Sequence, residues 1–184
     1  MIHIPIRLAL VVSMAAGAAA LASDYTVLAG RLSFAVPTDW REVRRVDHDS
    51  VSFVAFVVPR PSGDSLAPAG NVMVDAALSH RKSDLRTYSD AKLKQEAAGP
   101  GSPVVVDDRL NNGDSSRTVL STSRLRGTPY ALWDMFVVRD SVYVDIRTAI
   151  PVAYAADSVW EARYESQLNV MLRSFRVGRT QLFR

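Results

Sequence analysis

The chain has 184 residues, with 22 Lys or Arg against 19 Asp or Glu and a formal charge of +3 at neutral pH. That near balance, with no dense basic run, excludes a nucleic-acid binder held by phosphate contacts. Cysteine is absent, which excludes both a disulfide framework and a lipoprotein anchor, so stability must come from packing.

Residues 2 to 22 carry one early Arg7, an apolar run from Leu8 to Val12, an alanine-rich tract and Ala20-Leu21-Ala22 before Ser23. This order is that of a secretory signal peptide. We expect residues 1–22 to be removed and residues 23–184 to fold as a single α+β domain outside the cytoplasm, periplasmic or extracellular. About 160 residues suffice for one sizeable core and are few for two. No later apolar run is long enough to span a bilayer, so stable membrane insertion is not expected.

The dominant period after residue 23 is two. Leu32, Phe34 and Val36 alternate with Arg31, Ser33 and Ala35, and Pro37-Thr38-Asp39 turns the chain into Trp40 and a short charged strand. Residues 51 to 58 are apolar at nearly every position, as in a strand covered on both faces. Residues 59 to 70 hold three prolines, two glycines and two serines and read as a loop. Val72, Val74, Ala76 and Leu78 mark the next strand.

A helix is predicted from an N-cap at Ser83, with Asp84 in its first turn and Gly99-Pro100-Gly101 as its stop. Its thin apolar face, Leu85, Tyr88 and Leu93, suggests a surface helix. Val104 to Val106 lead into a meander near 116–126, 130–138 and 142–150, with turns at Asn111-Asn112-Gly113-Asp114, Arg126-Gly127-Thr128-Pro129 and Asp140-Ser141. A two-residue turn at Asp140-Ser141 places Asp134 opposite Arg147, Met135 opposite Ile146 and Val137 opposite Val144. Charge then meets charge and apolar meets apolar, so Asp134 and Arg147 read as a cross-strand ion pair. The final helix is capped by Asp157 or Ser158, the latter in capping-box spacing with Glu161. It presents Trp160, Tyr164, Leu168, Met171 and Leu172 on one face, which must bury.

The strand ending Phe34-Ala35-Val36-Pro37-Thr38-Asp39-Trp40, the antiparallel sheet after it, and a closing amphipathic helix running into Ser174-Phe175 resemble the PsbP-like family along nearly all of residues 23–184. The resemblance implies an α-β-α sandwich, with an antiparallel sheet of about six to eight strands and helices packed on its faces. The family includes lumenal photosystem II accessory proteins, exported bacterial proteins and structural relatives that bind the Ran GTPase. It implies a binding or accessory role and carries over no site residue.

Catalytic constellations are weak beside it. Asp47-His48-Asp49 is a candidate ligand cluster, although neighbours on a strand point to opposite faces. His80, beside Arg81 and Lys82, lacks a local carboxylate. Asp107 and Asp108 are candidate paired carboxylates for acid-base or hard-metal chemistry. The Gly-Asp-Ser triplets at 63–65 and 113–115 lack a nucleophile elbow. No phosphate loop, zinc spacing or dinucleotide fingerprint occurs. We therefore assign no catalytic, metal or cofactor residue, and the chain reads as an exported non-catalytic domain that binds an envelope protein. One alternative is a small-ligand site between sheet and helix, lined by Trp133, Trp160 or Tyr143. The other is a hydrolase or metal-dependent enzyme, which requires Asp47, His48, His80 or Asp107 and Asp108 to converge.

Overall fold

A computed structural model of the chain describes residues 22–61, 67–78, 84–97, 103–111 and 116–182. The expected signal segment up to Leu21, His80, Ser83, the Gly99-Pro100-Gly101 stop, the turn after Asn111 and both Gly-Asp-Ser triplets lie outside the described residues.

Two strands, β1 (Ala22–Val27) and β2 (Leu32–Pro37), form a hairpin, and the chain then enters β3 (Arg41–Asp47), β4 (Val51–Val57) and β5 (Asn71–Leu78). Helix α1 (Leu85–Ala97) is followed by β6 (Val104–Asn111), β7 (Ser116–Leu125), β8 (Thr128–Arg139) and β9 (Val142–Pro151). A short 3-10 helix (Val152–Ala156) leads into α2 (Ser158–Ser174), and β10 (Arg176–Val177) and β11 (Thr180–Gln181) close the chain. The strands build a seven-stranded antiparallel sheet in the order β3-β4-β5-β9-β8-β7-β6 and a four-stranded sheet in the order β1-β2-β10-β11.

The alternating pattern places the core. Leu32, Phe34 and Val36 of β2 bury against Trp160, Tyr164, Leu168, Met171 and Leu172 of α2 and against Val54, Phe56, Val72, Val74, Val144 and Ile146 of the large sheet. Each buried aliphatic side chain in this layer contributes about 1.5–3 kcal/mol. The opposite face of the large sheet carries α1 over a small cluster of Leu85, Val119 and Phe136. Helices on both faces of an antiparallel sheet make the sandwich that the resemblance implies.

The register at Asp140-Ser141 is the expected one: Asp134 pairs with Arg147, Met135 with Ile146 and Val137 with Val144. Both turn residues have positive φ, +49° and +65°, the geometry of the two-residue turns that match strand twist. The preceding hairpin is tighter than expected. Arg126 and Gly127 alone turn the chain, and Thr128 already pairs with Leu125.

Two other expectations shift. Asp84 accepts a hydrogen bond from Thr87 N at 2.7 Å and so caps α1, while Asp157 caps α2 through Val159 N and Trp160 N, so the Ser158–Glu161 capping box does not form. Strand β4 is fully covered on one face only. Val54 and Phe56 are buried, but Val51 is exposed and Phe53 half-buried, because this end of the sheet lies beyond α1. The Arg44 guanidinium, 5.4 Å from the ring centre of Phe53, covers it instead.

Candidate functional site

Strand pairing sets out a row of side chains on the α2 face of the large sheet: Asp107 beside Leu120, Leu120 beside Trp133, Trp133 beside Thr148. The next row is Val104, Thr122, Ala131 and Ile150. Helix α2 packs along β2 of the small sheet and covers part of this surface. Its far side is held there by Trp40 Nε1, which donates to Gln167 Oε1 at 2.9 Å, and by Gln167 Nε2, which donates to both carboxylate oxygens of Asp39 at 2.9 Å. The β6–β8 half of the row is left without a helix directly upon it, and a cleft opens between that half and the near side of α2.

The cleft has a volume of about 240 Å³. Its floor is Leu120, Ala131, Trp133, Thr148 and Ile150, and its α2 wall is Trp160, Glu161, Tyr164, Glu165 and Leu168. Asp107 and Arg109 stand at the β6 rim. The wall is rigid for identifiable reasons. Asp157 fixes the first turn of α2, Trp160 Nε1 donates to Pro59 O at 2.6 Å, and the Trp160 and Tyr164 rings stack at 5.0 Å with 7° between planes. Trp40 continues the stack behind Tyr164 at 6.0 Å, and Tyr154 meets Trp160 edge-on at 4.9 Å.

Electrostatically the site is acidic. Burial pushes the Glu165 carboxyl up, and Glu161, one helical turn away, pushes it further. At the rim, the hydrogen bond from Arg109 Nε holds Asp107 below the usual carboxylate range. Burial raises the Tyr164 hydroxyl; it faces Thr148 without reaching hydrogen-bond geometry and is left without a partner. Among the described residues the lining contains no His, Cys or Lys; its carboxylates are Glu161 and Glu165 on the α2 wall and Asp107, engaged by Arg109, at the β6 rim.

Among the described residues the other candidates do not converge. Asp47, His48 and Asp49 lie at the β3–β4 turn, and β3 and β6 are the two opposite edges of the large sheet. Six strand spacings separate them from Asp107 and Asp108, on the order of 30 Å. Asp47 is structural: its Oδ1 accepts from Leu28 N at 3.1 Å, and its Oδ2 pairs with Arg45. Asp107 and Asp108 are also divided, since Asp107 lies in the cleft row while Asp108 turns to the α1 face and holds Arg117 at 2.7 and 2.8 Å. Among the described residues no three His, Asp or Glu side chains could hold a metal ion. Of the three aromatics proposed for a ligand site, Trp133 and Trp160 meet in the cleft. Tyr143 is on the other face, 5.1 Å from Tyr88 of α1, because odd positions of β9 point away from α2. In the sequence Glu161 has only a capping-box role and Glu165 is not singled out, although their spacing of four, offset from the Trp160 stripe, places them on one flank of the helix.

No protein-family model matches the sequence, and no curated protein matches it. The fold is nonetheless recognisable as an α-β-α sandwich of the Mog type. The Saccharomyces cerevisiae Ran-binding protein Mog1p superposes with a TM-score of 0.57 at 17% identity, over 89% of this chain and 99% of that one. LpqN of Mycobacterium tuberculosis, involved in cell envelope biogenesis, superposes at 0.49 with 12% identity over 84% of this chain and 83% of its own. Synechocystis PsbP (CyanoP) gives 0.43 and 12% over 90% and 97%.

Proposed function

We propose that this chain is an exported, non-catalytic accessory domain that recognises an envelope protein through the cleft beneath α2. The observation that carries this reading is that Trp133 from β8 and Trp160 from α2 line one open cleft together with acidic side chains. Aromatic side chains with polar groups at the rim are the composition of recognition sites. Mog1p, whose fold this chain shares, is a Ran-binding protein, so the scaffold serves protein recognition there. The N-terminal segment motivates the exported location, and no described helix is long and apolar enough to cross a membrane.

The test places a photo-crosslinking amino acid at position 161 of the full chain expressed in its native envelope. One defined adduct is expected, and it should vanish when Ala131→Trp fills the cleft. An adduct that persists undiminished in the filled variant would overturn the reading.

A further inference from the structure

The cleft is open enough to admit a group from outside and too small for a large cofactor: its volume of about 240 Å³ falls below the roughly 300–1,000 Å³ typical of drug-sized pockets. Its charged lining is Asp107, Arg109, Glu161 and Glu165. Arg109 is already engaged with Asp107, so the two glutamates set the local sign, and neither is in an ion pair among the described residues. Like charges four apart on a helix repel by a few tenths of a kcal/mol, a strain that a cation between them removes. The Glu165 carboxyl is raised first by burial and then by Glu161.

Below the glutamates the walls turn apolar, with Trp133, Trp160, Leu120 and Leu168. Tyr164, more than nine-tenths buried, adds the surface of its ring to this space. An anion would meet two carboxylates and one guanidinium already in use. A cation on an apolar stem satisfies both halves of the site, and aromatic walls add to its attraction.

We propose that the cleft binds an organic cation, a protonated amine or guanidinium on an apolar stem, with its head at Glu161 and Glu165 and its stem between Trp133 and Trp160. This rests on the reading of the cleft as the recognition site. The same chemistry is carried by a free amine and by a Lys or Arg side chain of a partner protein.

The test titrates hexylammonium, hexanol and hexanoate, alike except in the charge of the head, into the purified full chain as the cell processes it, read by tryptophan emission and by melting temperature. Hexylammonium is expected to bind at least tenfold more tightly than hexanol, with hexanoate weakest. In the Glu161→Gln/Glu165→Gln variant, hexylammonium should bind no better than hexanol. If hexanol equals or exceeds hexylammonium in the wild type while Ala131→Trp abolishes binding, the cation assignment is wrong and the cleft stands. If none of the three binds, or if Ala131→Trp leaves their binding unaltered, the cleft reading falls as well. Comparing Nα-acetyl-lysine methylamide with hexylammonium separates the two sources. Tighter binding of the amide assigns the cation to a partner's side chain, and the reverse assigns it to a free amine.

Discussion

Arg147 of β9 faces Asp134 of β8 directly across the hairpin and donates from Nε to Asp134 Oδ1 at 2.5 Å, while Glu96 of α1 meets the same guanidinium from the helix above. Asp134 is 1% exposed, and through Glu96 this pair is one of the ionic ties between α1 and the sheet. Removing one member of a buried pair leaves the other charge uncompensated, at a cost of about 3–5 kcal/mol. Arg147→Ala is expected to lose that much in urea unfolding. A loss below 1 kcal/mol would mean that the pair does not hold α1 in place.

Asp145 lies beside this pair, nearly buried, directly opposite Asp75, with Oδ1 unpartnered. Burial first and then Asp134 raise its carboxyl well above the ordinary range, and burial takes Asp134 to about 6 against the pull of Arg147. For an acid whose folded pKa lies above its unfolded value, the folded state binds the extra proton, so stability falls as pH rises through the interval between the two. For Asp134 that interval runs from about 4 to about 6, and Asp145 adds a contribution of the same sign. The melting temperature is therefore expected to be higher at pH 5 than at pH 8. Asp145→Asn should flatten most of that slope, and an equal slope in the variant would contradict the assignment. Asp84, Asp107 and Asp108, whose carboxyls are held low by hydrogen bonds, work in the opposite sense and only below about pH 4.

Arg117 joins three elements through one guanidinium. It donates to Asp108 of β6 at 2.8 and 2.7 Å and to Ser89 and Asp90 of α1 at 2.6 and 2.5 Å. A lysine keeps the charge and loses the planar fork. Arg117→Lys is expected to cost about 2 kcal/mol and to speed amide exchange in both β6 and α1. Exchange faster in only one of them would show that the two are held separately.

The β1–β2 turn stores strain that a single substitution can release. Leu28 and Ala29 sit at φ +54° and +52°, the left-handed region that costs a non-glycine residue roughly 1 kcal/mol. Leu28 is buried and its N–H is tied to Asp47, whereas Ala29 is exposed. Ala29→Gly should gain about 0.5–1 kcal/mol and Asp47→Ala should lose about 1–2 kcal/mol, both read from chemical denaturation midpoints. A destabilised Ala29→Gly would show that the turn relaxes without penalty.

Most of the scaffold could be read from residue order because its signals are local. Leu32, Phe34 and Val36 alternate, Trp160 to Leu172 recur at helical spacing, and the charge match of Asp134 with Arg147 chose one hairpin register over its neighbour. What escaped is long-range. Gln167 belongs to the buried face of α2 only because Trp40 and Asp39, more than a hundred positions earlier, supply its hydrogen bonds. The cleft escaped for a related reason: its floor is a row across four strands, and its acidic flank becomes visible once α2 has a fixed position over that row. Tyr143 was placed with the wrong partners because β9 is buried on both faces, so hydrophobicity alone does not say which residues point toward α2.

The seven-stranded sheet acts as a partition. The ionic ties that fasten α1, through Lys92, Arg117 and Arg147, lie on one side of it, and the cleft lies on the other, with alternate residues of the same strands serving each. Leu120, Thr122 and Ala131 can therefore be exchanged, one position at a time, without touching any side chain that secures α1. A lineage using this scaffold is free to change what it recognises at little cost to folding, which would let proteins with almost no sequence in common keep the same architecture while serving unrelated partners.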